Sequence, residues 1–232
     1  MKTLPDQNKL FSFQSVLGAL LLAGVFAFSV LMLTKVWPYM SYERGEHFLS
    51  TKTDRVLDNP WFLAGFYIHI TSSLWVMAGG IPQFIPAVFR RKPAFHRWTG
   101  KIYVFSILFL AAPSGMILAF FANGGLPAKV GFSLQCIVWW LTTFTGWQEI
   151  MQNKWTSHVE WMIRSFAVTL AAVSLRSESY LMYYFFGTKP IETYLTVTWL
   201  SWTGNLLIAE ILIRTGIAKR LVNSFMNFSE YA

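Results

Sequence analysis

Residues 102–122, IYVFSILFLAAPSGMILAFFA, run without a single charged side chain. A helix rises about 1.5 Å per residue, so a run of this length spans roughly 30 Å, the thickness of the hydrocarbon core of a bilayer. The stretch is therefore typical of a transmembrane helix. Other apolar runs of similar length lie on both sides of it, which predicts that the chain folds inside a membrane.

The composition of the whole chain agrees with this prediction. The 232 residues are 54% hydrophobic, 18% aromatic and only 13% charged, with a mean hydropathy of +0.43. These values exclude a soluble enzyme, a disordered chain and a disulfide-stapled scaffold. The single cysteine, Cys136, can form no intrachain disulfide and no cysteine-rich metal site.

Six apolar runs, separated by charged residues and by Pro or Gly, predict six transmembrane helices. The predicted spans cover residues 14–37, 61–89, 102–122, 130–151, 158–187 and 193–213. No linker and no internal repeat divides residues 1–232. The fold class that we predict is an all-α integral membrane bundle forming one domain.

The distribution of basic residues predicts the orientation of this bundle. Of the 19 Lys and Arg residues, twelve fall on the side of the N-terminus, six on the other side, and Arg176 within a span. Cytoplasmic loops carry the excess of positive charge, so we expect both termini in the cytoplasm and the chain in a cytoplasmic membrane. The net charge of +8 thus reflects topology, and nucleic acid is not expected as a partner.

Proline and glycine predict irregular helix geometry at two places. The second span contains Gly79, Gly80, Pro82 and Pro86 in its inner half, and the third contains Pro113. Proline lacks the backbone N–H that closes a helical hydrogen bond. We expect a kink at each place, with the freed carbonyl groups satisfied by neighbours or water.

Ionisable and amide side chains inside the spans predict a polar pocket in the outer half of the membrane. His69, Arg176, Glu178 and Gln135 fall at similar depths by residue counting. Groups of this kind are costly in lipid and face a cavity or a partner. A purely structural interpretation is equally compatible, in which Glu178 pairs with His69 and Arg176 with Gln135 to fix helix packing.

A second set of polar residues lies at the inner ends of the third and fifth spans. His96 and His158 occupy corresponding positions on two helices that run in the same direction. Two imidazoles placed in this way can provide both axial ligands of a haem b iron, or two ligands of a metal ion completed by Glu160 or Glu149.

Arginines accompany both histidines. Arg97 and Arg164 lie near the same level and are suited to bind haem propionates bidentately. The alternative is that both histidine segments are interfacial anchors, because basic and aromatic residues are common at this depth.

Two motifs in these segments resemble a known family. Residues 95–104, FHRWTGKIYV, and residues 158–176, HVEWMIRSFAVTLAAVSLR, resemble the bacterial membrane proteins grouped as domain of unknown function 2306. The likeness extends over most of residues 61–213. It implies a multi-pass helical bundle and assigns motif positions to His69, His96, Arg97, Gly100, His158, Trp161, Arg164 and Arg176.

The arrangement of histidines is also similar to that of cytochrome b561-like and ferric-reductase-like bundles. That likeness implies haem held between histidines of successive helices. The sequence departs from the two-haem pattern because His69 has no histidine partner on the fourth span. One bis-histidine haem is therefore the most that we expect.

Three functions fit these observations. The first is haem handling or transmembrane electron transfer, with His69 and Arg176 near an outer site for a haem edge or for a quinone or another redox partner. The second is a non-catalytic membrane subunit or assembly factor whose polar residues organise packing. The third is a small proton-coupled transporter using the outer pocket. No motif for phosphate binding or for a nucleophilic serine indicates an enzyme class.

Overall fold

A computed structural model of the protein describes residues 23–24, 26–27, 30–32, 34–41, 43 and 48–226, and the regular elements of this part are all helical. The helices are α1, Asp54–Leu57; α2, Pro60–Gly80; α3, Pro86–Arg91; α4, Pro93–Phe120; α5, Gly125–Met151; α6, Trp155–Thr169; α7, Ala171–Phe186; α8, Pro190–Arg214; and α9, Ile217–Met226. The predicted all-α class is confirmed for this part of the chain.

Three helical segments of the described part are long and apolar enough to cross a membrane. They are Pro60–Phe84, Pro93–Phe120 and Pro190–Arg214. They correspond to the second, third and sixth predicted spans. The first predicted span, residues 14–37, lies mostly outside the described residues, and its described residues up to 36 are helical.

Helix starts in this chain are marked by proline. Pro60, Pro86, Pro93 and Pro190 each stand in the first turn of their helix, where no backbone donor is needed. Because Pro93 starts α4, this helix begins well before residue 102, and the boundary predicted from hydrophobicity alone was too late.

The predicted kink in the second span is confirmed. The α-helix α2 ends at Gly80, a 3₁₀ turn covers Ile81–Phe84, and α3 begins at Pro86. Ile85 is extended, with φ −96° and ψ 106°, since a residue that precedes proline avoids the helical conformation. The Gln83 amide donates to the Gly79 carbonyl over 3.1 Å, so a neighbouring side chain satisfies this end of the helix.

The irregularity predicted at Pro113 is also present. Residues Ser106–Ala111 of α4 form a π-helical segment just before the proline. Side chains of two other helices bond to carbonyl groups in this segment. Trp140 Nε1 donates to the Leu108 oxygen over 3.1 Å, and His69 Nδ1 lies 2.8 Å from the Ala111 oxygen.

The fifth predicted span, residues 158–187, is divided into α6 and α7 at Leu170. The division coincides with an interhelical hydrogen bond, because Asn205 of α8 donates to the Ala167 carbonyl over 3.0 Å. Ser174 of α7 in turn donates to the Asn205 amide oxygen over 2.9 Å. Neither proline nor glycine marks this position, so the sequence pattern did not predict it.

Two apolar clusters stabilise the bundle. The larger one contains Val76, Tyr103, Ile107, Ala111, Ala112, Trp139, Met162, Phe166 and Val168. Gly80 allows the inner end of α2 to approach it, since a Cβ atom there would lie 2.7 Å from Phe166 and 2.9 Å from Tyr103. The second cluster joins Leu49 and Leu57 of the preceding loop and α1 to Phe62 and Phe66 of α2.

Candidate functional site

His158 lies in the first turn of α6 with its ring anchored to α5. Its Nδ1 atom is 2.7 Å from the Gly146 carbonyl oxygen. A carbonyl oxygen only accepts hydrogen bonds, so Nδ1 carries the proton and Nε2 keeps its lone pair. Histidines that bind metals commonly show this arrangement, in which a backbone carbonyl orients the ring through the other nitrogen.

His96 lies in the first turns of α4 and has an incompletely satisfied ring. Its Nδ1 atom is buried without a hydrogen-bond partner among the described residues. The Phe89 ring contacts it edge-on with centroids 5.0 Å apart. His158 and Arg97 both lie in the neighbourhood of His96.

The helix register places the two histidines at the same depth. The Tyr103 hydroxyl of α4 lies 2.9 Å from Ser165 Oγ of α6. His96 precedes Tyr103 by seven residues, and His158 precedes Ser165 by seven. Because α4 and α6 run in the same direction, the histidines lie about two turns from this contact on both helices. The predicted juxtaposition of the inner histidines is thus compatible with the fold.

A buried hydroxyl cluster connects α4, α5 and α6 above the histidines. The Tyr103 hydroxyl is also 2.9 Å from Thr169 Oγ1, which accepts a 2.9 Å hydrogen bond from Trp139 Nε1. Thr143 Oγ1 lies 2.7 Å from Ser165 Oγ. All four hydroxyl groups are thereby satisfied inside the bundle, as buried polar groups require.

The two inner arginines have different environments. Arg164 forms a bidentate ion pair with Glu210 of α8, through Nε to Oε1 and through Nη2 to Oε2. Its guanidinium also lies 4.6 Å from the centre of the Trp161 ring. Arg97 is exposed on the surface of α4. Arg97 is therefore the more available of the two for an anionic ligand.

His69 lies at a different place from the inner histidines. Besides its contact with the Ala111 oxygen, its ring lies against Gly115 of α4, where a Cβ atom would be 3.0 Å from both His69 Cε1 and Cys136 Sγ. His69 thus connects α2 to the irregular part of α4 and approaches α5. The structure does not bring it to His96 or His158.

The remaining residues of the predicted outer pocket do not form the predicted pairs. Arg176 is exposed and its Nη1 donates to the Ala172 carbonyl of the same helix over 2.8 Å. Glu178 Oε2 and Gln135 Oε1 are buried without a hydrogen-bond partner in residues 48–226. The predicted pairs of Glu178 with His69 and of Arg176 with Gln135 are therefore not found.

The described residues contain no group of three or more His, Cys, Asp or Glu side chains that could hold a metal ion. Glu149 lies 3.9 Å from Lys154 rather than completing a site with the histidines. The alternative of a metal ion completed by Glu149 or Glu160 is thus not found there. A bis-histidine haem needs only two side-chain ligands and is not addressed by this result.

An apolar groove of about 270 Å³ opens beside Pro113 between α4 and α5. Its walls are Ala112, Pro113, Met116, Cys136, Ile137, Trp140 and Leu141. Cys136 lines the groove, and its Sγ atom and the His69 ring both lie against Gly115. The groove is therefore a neighbour of the outer histidine and lies away from the inner pair.

Sequence reasoning missed the hydroxyl cluster and Glu210. Tyr103, Ser165 and Thr169 all stand within the two motifs quoted above, which was an available signal. It was overlooked because single hydroxyl residues in apolar helices usually bond to their own backbone. Glu210 lies close to the end of the last span, where a charged residue is unremarkable.

Comparison with known proteins agrees with these motifs. The family model described as "Predicted membrane protein (DUF2306)" matches residues 66–213, well over half of the chain. No curated protein and no solved structure matches the chain. With its matched region covering α2 through α8, the chain belongs to the DUF2306 family of predicted membrane proteins.

Proposed function

We propose that this chain is a six-span inner-membrane protein that binds one haem b between His96 and His158 and takes part in electron transfer or haem handling. The observation that carries the proposal is the state of the two rings. His158 has Nδ1 bound to a backbone carbonyl and Nε2 available, while His96 has a buried nitrogen without a partner in the described chain. The hydrogen bond of His158 is expected of a ligand to an iron centre, and the unpartnered Nδ1 of His96 leaves a ring nitrogen that can bind the same iron.

The residues around the two histidines fit such a group. The Phe89 ring, whose centroid lies 5.0 Å from that of His96, provides apolar surface beside one of them. Arg97 is exposed beside His96 and can bind a propionate, whereas Arg164 is already paired with Glu210. Bound haem would supply one-electron chemistry, and axial imidazoles together with the burial of the site would tune its potential.

The six-span topology is supported by helix lengths beyond the three apolar segments. The helix α5 has 27 residues, enough for roughly 40 Å. The helices α6 and α7 together extend from Trp155 to Phe186 and complete one further crossing. With the helical residues before Trp37, this topology has both termini in the cytoplasm of a bacterial cell.

A membrane quinone is the redox partner that we propose. The apolar groove beside Pro113 suits an isoprenoid tail, because it is lined mainly by hydrocarbon and is open to the surface of the bundle. His69 lies close to the Cys136 side of this groove and offers a polar contact for a quinone head group.

Absorption spectroscopy tests the haem proposal. The protein is expressed with added haem precursor, purified in detergent, and its Soret band and haem content are measured. We expect about one haem per chain, with the Soret band lost in both His96→Ala and His158→Ala. His69→Ala is the matched control, since it removes an imidazole from a core helix and is expected to keep the chromophore.

Two results would contradict the proposal. One is a wild-type protein without a Soret band, and the other is a band that persists when His96 and His158 are both replaced. Either result would favour the subunit or assembly-factor function, in which the histidines only stabilise packing. The hydrogen bonds of His69 and His158 to carbonyl groups of neighbouring helices are the observations that support that second function.

A further inference from the structure

Three buried oxygen atoms on three helices lack hydrogen-bond partners within the described part of the chain. They are Gln135 Oε1 on α5, Glu178 Oε2 on α7 and Ser201 Oγ on α8. Ser201 is 0% exposed to solvent. Buried polar atoms without partners are rare in folded proteins, so each one calls for a physical explanation.

The register of α7 against α8 brings two of these atoms to the same level. The two helices are antiparallel and joined by a short turn at Gly187. Ser174 Oγ of α7 donates to Asn205 Oδ1 of α8 over 2.9 Å, which fixes their alignment. Glu178 is one turn closer to Gly187 than Ser174, and Ser201 is one turn closer to it than Asn205.

The register of α5 against α8 adds the third atom. These helices run in the same direction, since Gly124 lies against Leu195 and Gly131 lies against Thr198. A Cβ atom on Gly131 would be only 2.7 Å from Thr198 Cγ2. Gln135 is one turn beyond Gly131, and Ser201 is about one turn beyond Thr198. The three side chains therefore share one level of the bundle.

The chemistry of these three groups suits a small cation. From their geometry we infer that Gln135, Glu178 and Ser201 form a binding site for a monovalent cation such as sodium. Amide, carboxylate and hydroxyl oxygens are ligands for hard cations. One carboxylate balances one positive charge, and a carboxylate inside the membrane needs such compensation.

Arg176 does not provide that compensation. It is two residues from Glu178, so it points to another side of α7, and its Nη1 donates to the Ala172 carbonyl. A divalent ion would require further carboxylates, and the described chain has no cluster of acidic, His or Cys ligands. The site uses none of the residues of the proposed haem site and is independent of it.

Thermal unfolding of the purified protein in detergent tests the inference. The midpoint Tm is measured across a concentration series of NaCl, and separately of KCl, with N-methylglucamine chloride keeping the ionic strength constant. We expect a rise in Tm that saturates with Na⁺ or K⁺ and is absent with N-methylglucamine alone. The comparison of the two salts identifies the preferred ion.

Variants connect this effect to the three residues. In Glu178→Gln and Ser201→Ala we expect the cation concentration at half-maximal effect to increase at least tenfold. Ser179→Ala is the matched control, because the Ser179 hydroxyl already donates to Leu175 over 2.6 Å and lies outside the site. If Glu178→Gln fails to fold, Gln135→Leu replaces it in the experiment, because this variant keeps the carboxylate. Its cation concentration at half-maximal effect is compared with that of the wild type.

The inference is overturned if the wild-type Tm responds equally to sodium, potassium and N-methylglucamine. It is also overturned if the folded site variants keep the wild-type cation dependence. Broadening of the ²³Na resonance by wild-type protein, reversed by excess K⁺, supports it without any variant. If the variants of the cation site keep a normal haem spectrum, the loss of cation binding is independent of the proposed haem binding.

Discussion

At the residue scale, Tyr103 connects α4 to α6 through its hydroxyl group. Tyr103→Phe would leave Ser165 Oγ and Thr169 Oγ1 each without one close partner. Both hydroxyl groups keep a second partner, Thr143 and Trp139 respectively, so the variant loses one hydrogen bond worth roughly 0.5–1.5 kcal/mol of stability. We expect a lower Tm for the purified variant, whereas Tyr184→Phe, at a position 81% exposed, should match the wild type. Equal Tm values for both variants would contradict this role of the cluster.

Lys52 is a buried cation in the loop before α1. It is 9% exposed, and its Nζ donates to the Phe121 carbonyl over 2.7 Å and to Asn123 Oδ1 over 3.0 Å. Burial lowers the pKa of this ammonium from 10.5 to about 8. At a pH between these two values, Lys52 has released its proton in the folded protein and still holds it in the unfolded chain. Stability contributed at Lys52 therefore increases with pH across that window.

The pH dependence of unfolding measures this effect. We expect the stability of the wild type relative to Lys52→Met to increase from pH 8 to pH 10.5. Below pH 8 it should change little, because Lys52 is protonated in both the folded and the unfolded state. The neutral amine keeps N–H donors for both hydrogen bonds. Lys129→Met, at an exposed position, is the control. A stability difference that falls as the pH increases would contradict the prediction.

The surroundings of individual candidate residues were only partly predictable from sequence. His96 and His158 could be placed at matching helix ends because chain direction and residue counting fix their depth. The pairing of polar residues could not be predicted in the same way, since it depends on which helix faces turn towards each other. His69 bonds to a carbonyl exposed by the distortion of α4, and Arg164 bonds to Glu210, a partner 46 positions away.

At the scale of helices, the ion pair of Arg164 and Glu210 fastens α6 to α8. The Arg164 side chain is 18% exposed and that of Glu210 40% exposed. We expect Glu210→Ala to cost more than the roughly 1 kcal/mol of a surface pair and less than the roughly 3–5 kcal/mol of a fully buried one. The double variant Arg164→Met/Glu210→Leu should be more stable than Glu210→Ala, because it leaves no unpaired charge.

A double-mutant cycle on unfolding provides the measurement for this pair. The single variants Arg164→Met and Glu210→Leu, together with the double variant, give the coupling free energy. Coupling close to zero would show that the pair does not stabilise the contact between α6 and α8. Thr203→Ala, at an exposed hydroxyl that bonds only within α8, serves as the control for changes on that helix.

Helix irregularities followed two rules, and only one of them can be read from sequence. Gly80, Pro82 and Pro113 change the backbone locally, so the kink after α2 and an irregularity of α4 near Pro113 were predicted, although the π-helical form of the latter was not. The division at Leu170 accompanies a tertiary hydrogen bond from Asn205 to Ala167. Such a bond has no local signature, because its donor lies on another helix.

At the scale of the whole molecule, the orientation that we propose depends on where the basic residues lie. The exposed arginines and lysines of α3 and the loop after it gather at the same end as α9, which packs against α3 and α6. Transferring such a cluster across the membrane is unfavourable, which is the physical reason for the positive-inside rule. In the proposed orientation, the opposite end, with α1 and the turn at Gly187, faces outwards.

Single-cysteine labelling tests this orientation with little background, because the native Cys136 is buried. Intact cells whose outer membrane has been permeabilised are treated with a membrane-impermeant maleimide. We expect labelling of Asp54→Cys and Lys189→Cys, and no labelling of Lys92→Cys and Lys219→Cys until the inner membrane is opened; all four positions are exposed. Labelling of both Lys92→Cys and Lys219→Cys in intact cells, with protection of both Asp54→Cys and Lys189→Cys, would reverse the orientation. Different labelling of the two members of either pair would instead change the number of crossings between them, since an even number of spans must separate positions on the same side.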